Sequence, residues 1–289
     1  MSALQSHLLS EHPSVALRDV VELAASLRGR RAMILAGAGC STESGIPDYR
    51  GPTTRTQKRS PVQYRQFVSD PEWRRRYWAR AVVGWPHFVA ARPNPTHRAL
   101  AALEHSGHAP WLVTQNVDGL HQSAGSSQVN ELHGTLHRVR CLECGAVCDR
   151  ERVQERLLDA NPWIATADAE VAPDGDAELP QSTIARFEVV DCERCGGVLK
   201  PDVVYFGENV PKARVEQAFQ WLDCADVLLV VGSSLTVFSG YRFVRKADEH
   251  GIPVVIVNLG ETRGDAHASL KIDARLGLLL PAVAQALAS

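Results

Sequence analysis

Four places in the 289-residue chain hold side chains whose types and spacing could do chemistry. The first is Gly37 to Arg50, GAGCSTESGIPDYR, which follows the apolar run Ala32 to Ala36. Two glycines one residue apart after such a run suit a buried parallel strand handing over to a loop whose backbone N–H groups meet a pyrophosphate. Ser41, Ser44, Gly45, Pro47, Asp48 and Arg50 continue it as a polar, turn-prone segment with little power to form a core. A GxGxxG fingerprint would need glycine where Thr42 stands and an acidic residue about twenty positions on, where the chain is basic, so an ordinary dehydrogenase is excluded. The second place is Gln115, Asn116, Val117 and Asp118, directly after the apolar Trp111 to Thr114. Amide and carboxylate side chains there are poor core material, and open α/β sheets bind ligands at that end of a strand. The third is His133 in Glu131-Leu-His-Gly-Thr135, where Gly134 leaves room for a ligand to pass close to the backbone. An imidazole with a pKa of about 6.5 accepts a proton at cellular pH, although one histidine of eleven is by itself more often structural than catalytic. The fourth is the pair of knuckles Cys141-Leu-Glu-Cys144 and Cys192-Glu-Arg-Cys195, with glycines at 145, 196 and 197 for the tight turns. Four such thiolates fill a tetrahedral zinc shell and leave no open position for chemistry; metal binding would contribute on the order of 10 kcal/mol to the folding of that module. Free structural thiols are the alternative, and Cys148, without a CxxC partner, reads as a bystander.

The elements that must position these residues can be read in order. Residues 14–28 place Val15, Val20, Val21, Leu23, Ala24 and Leu27 at helical spacing before Gly29. Asn94-Pro95-Thr96-His97 opens a second helix to about Glu104. A helix near 212–223 precedes the apolar strand Asp226 to Val231, which ends at Gly232-Ser233-Ser234, and Ile252 to Val257 is another buried strand, ending at Asn258. Strand ends at 36, 114, 232 and 258 therefore share one rim. The fold class is α/β: a Rossmann-like parallel sheet with helices on both faces plus a smaller inserted zinc-binding module. Residues 14–135 and 200–289 form the larger unit, with a helical insert at about 52–95, and residues 136–199 form the module. Within the module, residues 165–179 carry five acidic side chains with one proline and one glycine, the composition of a mobile solvated loop. Residues 55–80 interleave Arg55, Lys58, Arg59, Arg65, Arg74, Arg75, Arg76 and Arg80 with Tyr64, Phe67, Trp73, Tyr77 and Trp78. Three readings stand: a solvated helix whose arginines lie over a buried aromatic stripe, a nucleic-acid surface, or an arginine facing an acidic acyl group.

Composition sets the bounds. With 45% hydrophobic and 22% charged residues and a net charge of −2, the chain is an ordinary globular protein without the basic excess of a dedicated nucleic-acid binder. The apolar runs at 227–231 and 253–257 are too short to span a bilayer, and no apolar h-region precedes Arg18, so neither membrane nor secretion is expected. Cytoplasmic location is the default, mitochondrial if a presequence has been removed. Seven cysteines in such a chain favour metal over disulfides.

The loop at Gly37 resembles the cofactor loop of the sirtuins, the NAD-dependent protein-lysine deacylases, whose pattern is GAGxSxxSGIPDFR; only Tyr49 departs. NPTH at 94–97, TQNVD at 114–118, ELHG at 131–134, KPDVVYFGE at 200–208 and GSSLTV at 232–237 follow in family order, with Ser233 where a threonine is usual. Gly240-Tyr-Arg-Phe243, the TRGD after Gly260 and LKIDARLG at 270–277 are similar to class II members, the group containing a mitochondrial sirtuin. The resemblance implies NAD as consumed co-substrate, held by Gly37, Ala38, Gly39, Ser41 and Thr42, by Ile46, Pro47, Asp48, Tyr49 and Arg50, and by Gln115 to Asp118. Gly232, Ser233, Ser234, Asn258, Leu259, Gly260 and Leu276 would line the adenosine side. It implies a structural zinc on Cys141, Cys144, Cys192 and Cys195. It further implies that the acyl-lysine oxygen attacks C1′ of the nicotinamide ribose to release nicotinamide and give an alkylimidate. His133 then acts as base on a ribose hydroxyl, while Asn116 and Asp118 hold nicotinamide and ordered water, to give free lysine and O-acyl-ADP-ribose.

Acylated-lysine proteins or peptides are the implied partners, adding as a strand along Val203, Val204, Tyr205, Phe206 and Gly207. An ordinary core strand is the alternative there. The class II likeness implies acyl groups beyond acetyl, such as 3-hydroxy-3-methylglutaryl, with Tyr64 and Arg65 as candidate readers of an acidic acyl group and the 165–179 insert near the channel. Two other functions stay open: a protein mono-ADP-ribosyltransferase, and a non-enzymatic NAD-sensing or nucleic-acid-associated zinc protein. Nucleic acid is not expected as a partner, and a monomer is the working oligomeric state.

Overall fold

A computed structural model describes residues 16–48, 62–165 and 179–288. Tyr49, Arg50, the stretch containing Arg55, Lys58 and Arg59, and all but the ends of the 165–179 insert lie outside the described residues. Helix α1 (Leu17–Leu27) buries Leu23, Ala24 and Leu27 and stops at Arg28, where Gly29 turns the chain with a left-handed φ of 70°. It delivers β1 (Ala32–Ala36), whose five residues are all buried. Helices α2 (Tyr64–Ser69) and α3 (Pro71–Ala90) follow, then α4 (Pro95–His105), β2 (Trp111–Thr114), α5 (Leu120–Ser123) and β3 (Val129–Glu131). Strands β4 (Gly134–Cys141) and β5 (Val147–Asp149), helices α6 (Arg150–Ala160) and α7 (Gln181–Ala185), and β6 (Leu199–Val203) form the middle of the chain. The C-terminal part alternates α8 (Lys212–Asp223), β7 (Val227–Val231), α9 (Phe238–Glu249), β8 (Val254–Val257), β9 (Leu270–Ile272) and α10 (Leu276–Ala288).

Six of the strands form one sheet in the order β3-β2-β1-β7-β8-β9, and every pairing in it is parallel. Parallel strands need crossovers, so helices cover both faces and the strands read as unbroken runs of valine, leucine and isoleucine. The chain leaves the middle of this sheet in opposite directions from β1 and β7, which opens a crevice at their carboxyl ends. One face packs on α1, α4 and α10 through Leu23, Leu27, Leu100, Leu103, Leu279 and Val283; the other packs on α8 and α9 through Ala218, Leu222, Phe243 and Val244.

The remaining three strands form an antiparallel sheet, β5-β4-β6. Residues 134–135 and 200–203, at the edges of the module read from the sequence, pair within this smaller sheet. Its core is shared with the long helix α3. Pro86 lies inside α3 and cannot donate to the carbonyl of Val82, which would otherwise be left unpaired in the core. Gln154 of α6 supplies that bond, Nε2 to Val82 O at 2.9 Å, and one turn earlier Arg150 donates Nη2 to Ala81 O at 3.3 Å. Arg150 is 2% exposed and sits with its guanidinium 4.8 Å from the Trp85 ring and 5.3 Å from Trp78. The hydrogen bond that Pro86 cannot make in α3 is thus the socket for α6.

In the described part of the basic-aromatic stretch, Phe67, Tyr77 and Trp78 are buried, Arg65 and Arg76 are exposed, and Arg74, Arg75 and Arg80 are half-buried. Tyr64 and Trp73 depart from the stripe: both are half-buried, with Arg76 stacked 5.5 Å from the Trp73 ring.

Candidate active site

A single cavity of about 700 Å³ runs from the carboxyl ends of β1, β2, β7 and β8 to the face of α3. At its floor, the β1 and β7 loops touch. A Cβ on Gly37 would fall 2.7 Å from the Gly232 carbonyl, and one on Gly39 2.8 Å from Gly232 Cα. The N–H of Gly37 donates to Val231 O at 3.0 Å and that of Gly39 to Gly232 O at 2.9 Å. Both amides pair with the neighbouring loop, the absent side chains let its backbone approach, and both glycines also line the cavity. The expectation for Gly134 is revised. It has φ of 82°, and a Cβ there would stand 1.9 Å from the Asp202 carbonyl, so glycine is required by strand β6 passing behind it.

Above the floor, the sequence places hydroxyl, amide and carboxylate where the strands end, and they meet. Ser41 Oγ donates to Asp118 Oδ2 at 2.6 Å and accepts from Asn116 Nδ2 at 3.1 Å. Asn116 also donates to Gly37 O, and Asp118 Oδ1 accepts the Leu120 N–H at 2.9 Å. His97 closes the network. Its Nδ1 accepts the N–H of Asn94 at 3.3 Å in a capping box at the start of α4, which leaves Nε2 to donate to Ser41 Oγ at 3.4 Å. Burial pushes His97 down to about 4, against the pull of Asp118, so the ring is neutral. His121, edge-on to it at 4.8 Å, is pushed down to about 3, again by burial.

His133 stands in the turn between β3 and β4 on the cavity wall, half-buried. Its Nδ1 lies 2.9 Å from the Gln115 carbonyl oxygen, which can only accept, so Nδ1 carries the proton. Nε2 then carries the lone pair, and Ser239 Oγ is 2.8 Å from it. Burial lowers the pKa of this imidazole; the Gln115 carbonyl opposes that, and the charges of Arg214 and Arg242 reinforce it. A neutral ring with its basic nitrogen on a cavity is equipped to remove a proton.

On the other side of the cavity, Val203 to Gly207 line the wall, with Phe206 36% exposed at the mouth. Lys200 pins this segment. Only 6% exposed, its ammonium hydrogen-bonds Val203 O, pairs with Glu208 Oε2 at 3.0 Å and lies 4.6 Å from the Tyr205 ring.

Every predicted cofactor residue within the described chain lines the cavity except Gly260. Gly260 is a turn residue with φ of 79° whose N–H donates to Asp273 and whose carbonyl accepts Lys271 Nζ. Tyr64 and Arg65 are also absent from the wall: Arg65 is exposed and Tyr64 packs toward Lys200. The wall includes residues that sequence reasoning gave no role: Tyr77 and Phe88 of α3, and Ser239 and Arg242 of α9. Tyr77 carried the signal of a helical aromatic stripe and Arg242 lies in the class II-like segment Gly240–Phe243; Ser239 carried none.

Away from the cavity, the sulfurs of Cys141, Cys144, Cys192 and Cys195 all lie within 4.8 Å of one another, with Cys141 to Cys195 at 3.5 Å and Cys144 to Cys192 at 3.8 Å. A tetrahedron with Zn–S bonds of about 2.3 Å has sulfur-sulfur edges of roughly 3.8 Å, so the donor set fits zinc, and four sulfurs leave no coordination site for a substrate. Cys148 is not part of the cluster. No helix among the described residues is long and apolar enough to cross a membrane.

A parallel sheet with a polar crevice at its central switch point, a neutral histidine at the rim and a remote four-cysteine site define a nucleotide-using α/β protein braced by a structural metal. Residues 37–239 match the Sir2 family, and the chain belongs to that family. It is 51% identical over 269 residues to NAD-dependent protein deacetylase 1 of Streptomyces coelicolor, covering 93% of this chain and 90% of that protein. It is 51% identical over 259 residues to the mitochondrial NAD-dependent protein lipoamidase sirtuin-4 of Bos taurus, covering 88% of this chain and 82% of that protein. The solved structure of a Sir2 protein with a p53 peptide and NAD+ superposes with a TM-score of 0.73 at 32% identity, covering 92% of this chain and 97% of that one.

Proposed function

We propose that the protein is an NAD-dependent protein-lysine deacylase in which Nε2 of His133 is the general base. The observation that carries this reading is the His133 ring itself: its tautomer is fixed by the Gln115 carbonyl, and its basic nitrogen faces the cavity that the cofactor loop lines. The cofactor residues named from the sequence would hold NAD, consumed as co-substrate. Asn116 and Asp118 fix Ser41 and the pocket wall, and their remaining acceptor capacity would be left for nicotinamide and ordered water. Val203 to Gly207 would take the substrate peptide as an added strand, its backbone held in place by Lys200 and Glu208. The larger unit would bind NAD and the 136–199 module would bind zinc.

The acyl group extends beyond acetyl in this proposal. Support comes from the far end of the cavity, where Val117, Leu136, Tyr77 and Phe88 continue the wall past Val203 to helix α3. The relatives' names cover both a deacetylase and a lipoamidase. A panel of acetyl-, lipoyl- and 3-hydroxy-3-methylglutaryl-lysine peptides with NAD tests it: higher kcat/KM for a longer acyl group is expected, and acetyl-lysine turned over fastest would overturn the acyl preference. Labelled NAD incorporated stoichiometrically into a protein target, with no acyl-peptide turnover, would assign ADP-ribosyl transfer instead.

A further inference from the structure

The lone pair that makes His133 a base is already occupied. Nδ1–H is committed to the Gln115 carbonyl at 2.9 Å, so the single in-plane lone pair on Nε2 is the acceptor for the Ser239 hydroxyl at 2.8 Å. Ser239 is 9% exposed and borders the same cavity, at the first turn of α9. Its backbone position is set by the helix and not by the β3–β4 connection that carries His133. A substrate hydroxyl cannot use Nε2 directly while this bond is intact.

We propose that Ser239 is a catalytic residue that relays the ribose proton to His133. Its Oγ accepts the proton of the ribose hydroxyl while its own proton passes to Nε2. The net change is one proton from ribose oxygen to imidazole, with the serine unchanged. The inference rests on the deacylase reading above. In that reading, nicotinamide release comes before the base acts, so Ser239 has a step of its own to affect.

The charged groups that bear on this ring are Arg214 of α8 and Arg242 of α9, and both oppose its protonation. Ser239 adds a donor that favours the same neutral form. Removing it leaves the two arginines in place and makes the imidazole easier to protonate, so the acid limb of the pH profile moves to higher pH.

The test uses the full chain with NAD and an acyl-lysine peptide. It measures product formation and the exchange of labelled nicotinamide into NAD, for the wild type, Ser239→Ala and Ser239→Thr. Ser239→Ala is expected to lower the ratio of product formation to nicotinamide exchange at least about tenfold, within the range of general-base effects. Its acid limb should shift upward, and Ser239→Thr, which keeps the hydroxyl, should recover most of the ratio. Product formation and exchange falling in parallel, or an unchanged ratio, would show a structural serine and overturn the inference. A wild-type protein that releases no nicotinamide with any acyl peptide would instead overturn the deacylase reading, and the inference with it.

Discussion

Strand β7 has five residues, all buried, with a parallel neighbour on each side; strand β5 has three residues, two of them exposed, and one neighbour. The two sheets of this protein are held by different forces. Hydrophobic burial of continuous Val and Leu runs suffices for the larger one, at about 25 cal/mol per Å² of apolar surface removed from water. The three-stranded sheet has an exposed edge strand and buries its apolar face against α3 and α6. It adds long-range ties: four cysteines brought together from two knuckles, and the Arg150 and Gln154 side chains docked on α3 beside Pro86. The candidate active site sits where the two meet, with its polar end on the larger sheet and its apolar end on α3.

The largest effect should come from the metal. Chelation, or Cys192→Ser, is expected to unfold the small sheet, since structural zinc contributes on the order of 10 kcal/mol. Hydrogen exchange checks it: amides of β4 and β6 lose protection while those of β1 and β7 keep it. Joint loss would mean that the two regions form one cooperative unit, and the contrast would fail. Next in size is His133→Ala, expected to reduce acyl-peptide turnover by about 10²- to 10⁴-fold with thermal melting unchanged.

Acid should act on the polar end of the cavity. The ordinary histidine value is 6.5, while folding holds His97 at about 4 and His121 at about 3, so the unfolded chain takes up protons first. The stability these rings contribute is complete above about pH 6.5 and is lost as pH falls toward their folded values, by up to about 1.4 kcal/mol per pH unit for each. Urea midpoints taken from about pH 7 to about pH 5 should fall accordingly, and His121→Phe should flatten the slope. The smallest effect is Gln154→Leu, which strands the Val82 carbonyl and should cost about 1–3 kcal/mol by urea denaturation. A near-zero cost would show that the Pro86 break does not depend on α6.

Much of this architecture was legible because it is local. The strands at 32–36, 111–114 and 227–231 are apolar runs ended by polar or glycine residues, and the structure sets their bounds within a residue of expectation. The zinc ligands were legible because each CxxC turn brings its two sulfurs close before any tertiary contact forms. The reasons behind several residues were not legible. Gly37, Gly39 and Gly134 announce a tight approach, but only the folded chain shows that the approaching atoms belong to Gly232 and Asp202.

By itself, then, the sequence determined the order of the strands' apolar runs, the polar residues that end them, and the two cysteine knuckles, since all of these follow from periodicity and turn chemistry over a few residues. Tertiary structure alone decided which of those polar atoms are free. His97 reaches Ser41 across 56 residues and Ser239 reaches His133 across 106, through helices whose placement depends on packing against the whole sheet. A proton's position on an imidazole is fixed by its partner, and no local pattern names a partner that far away.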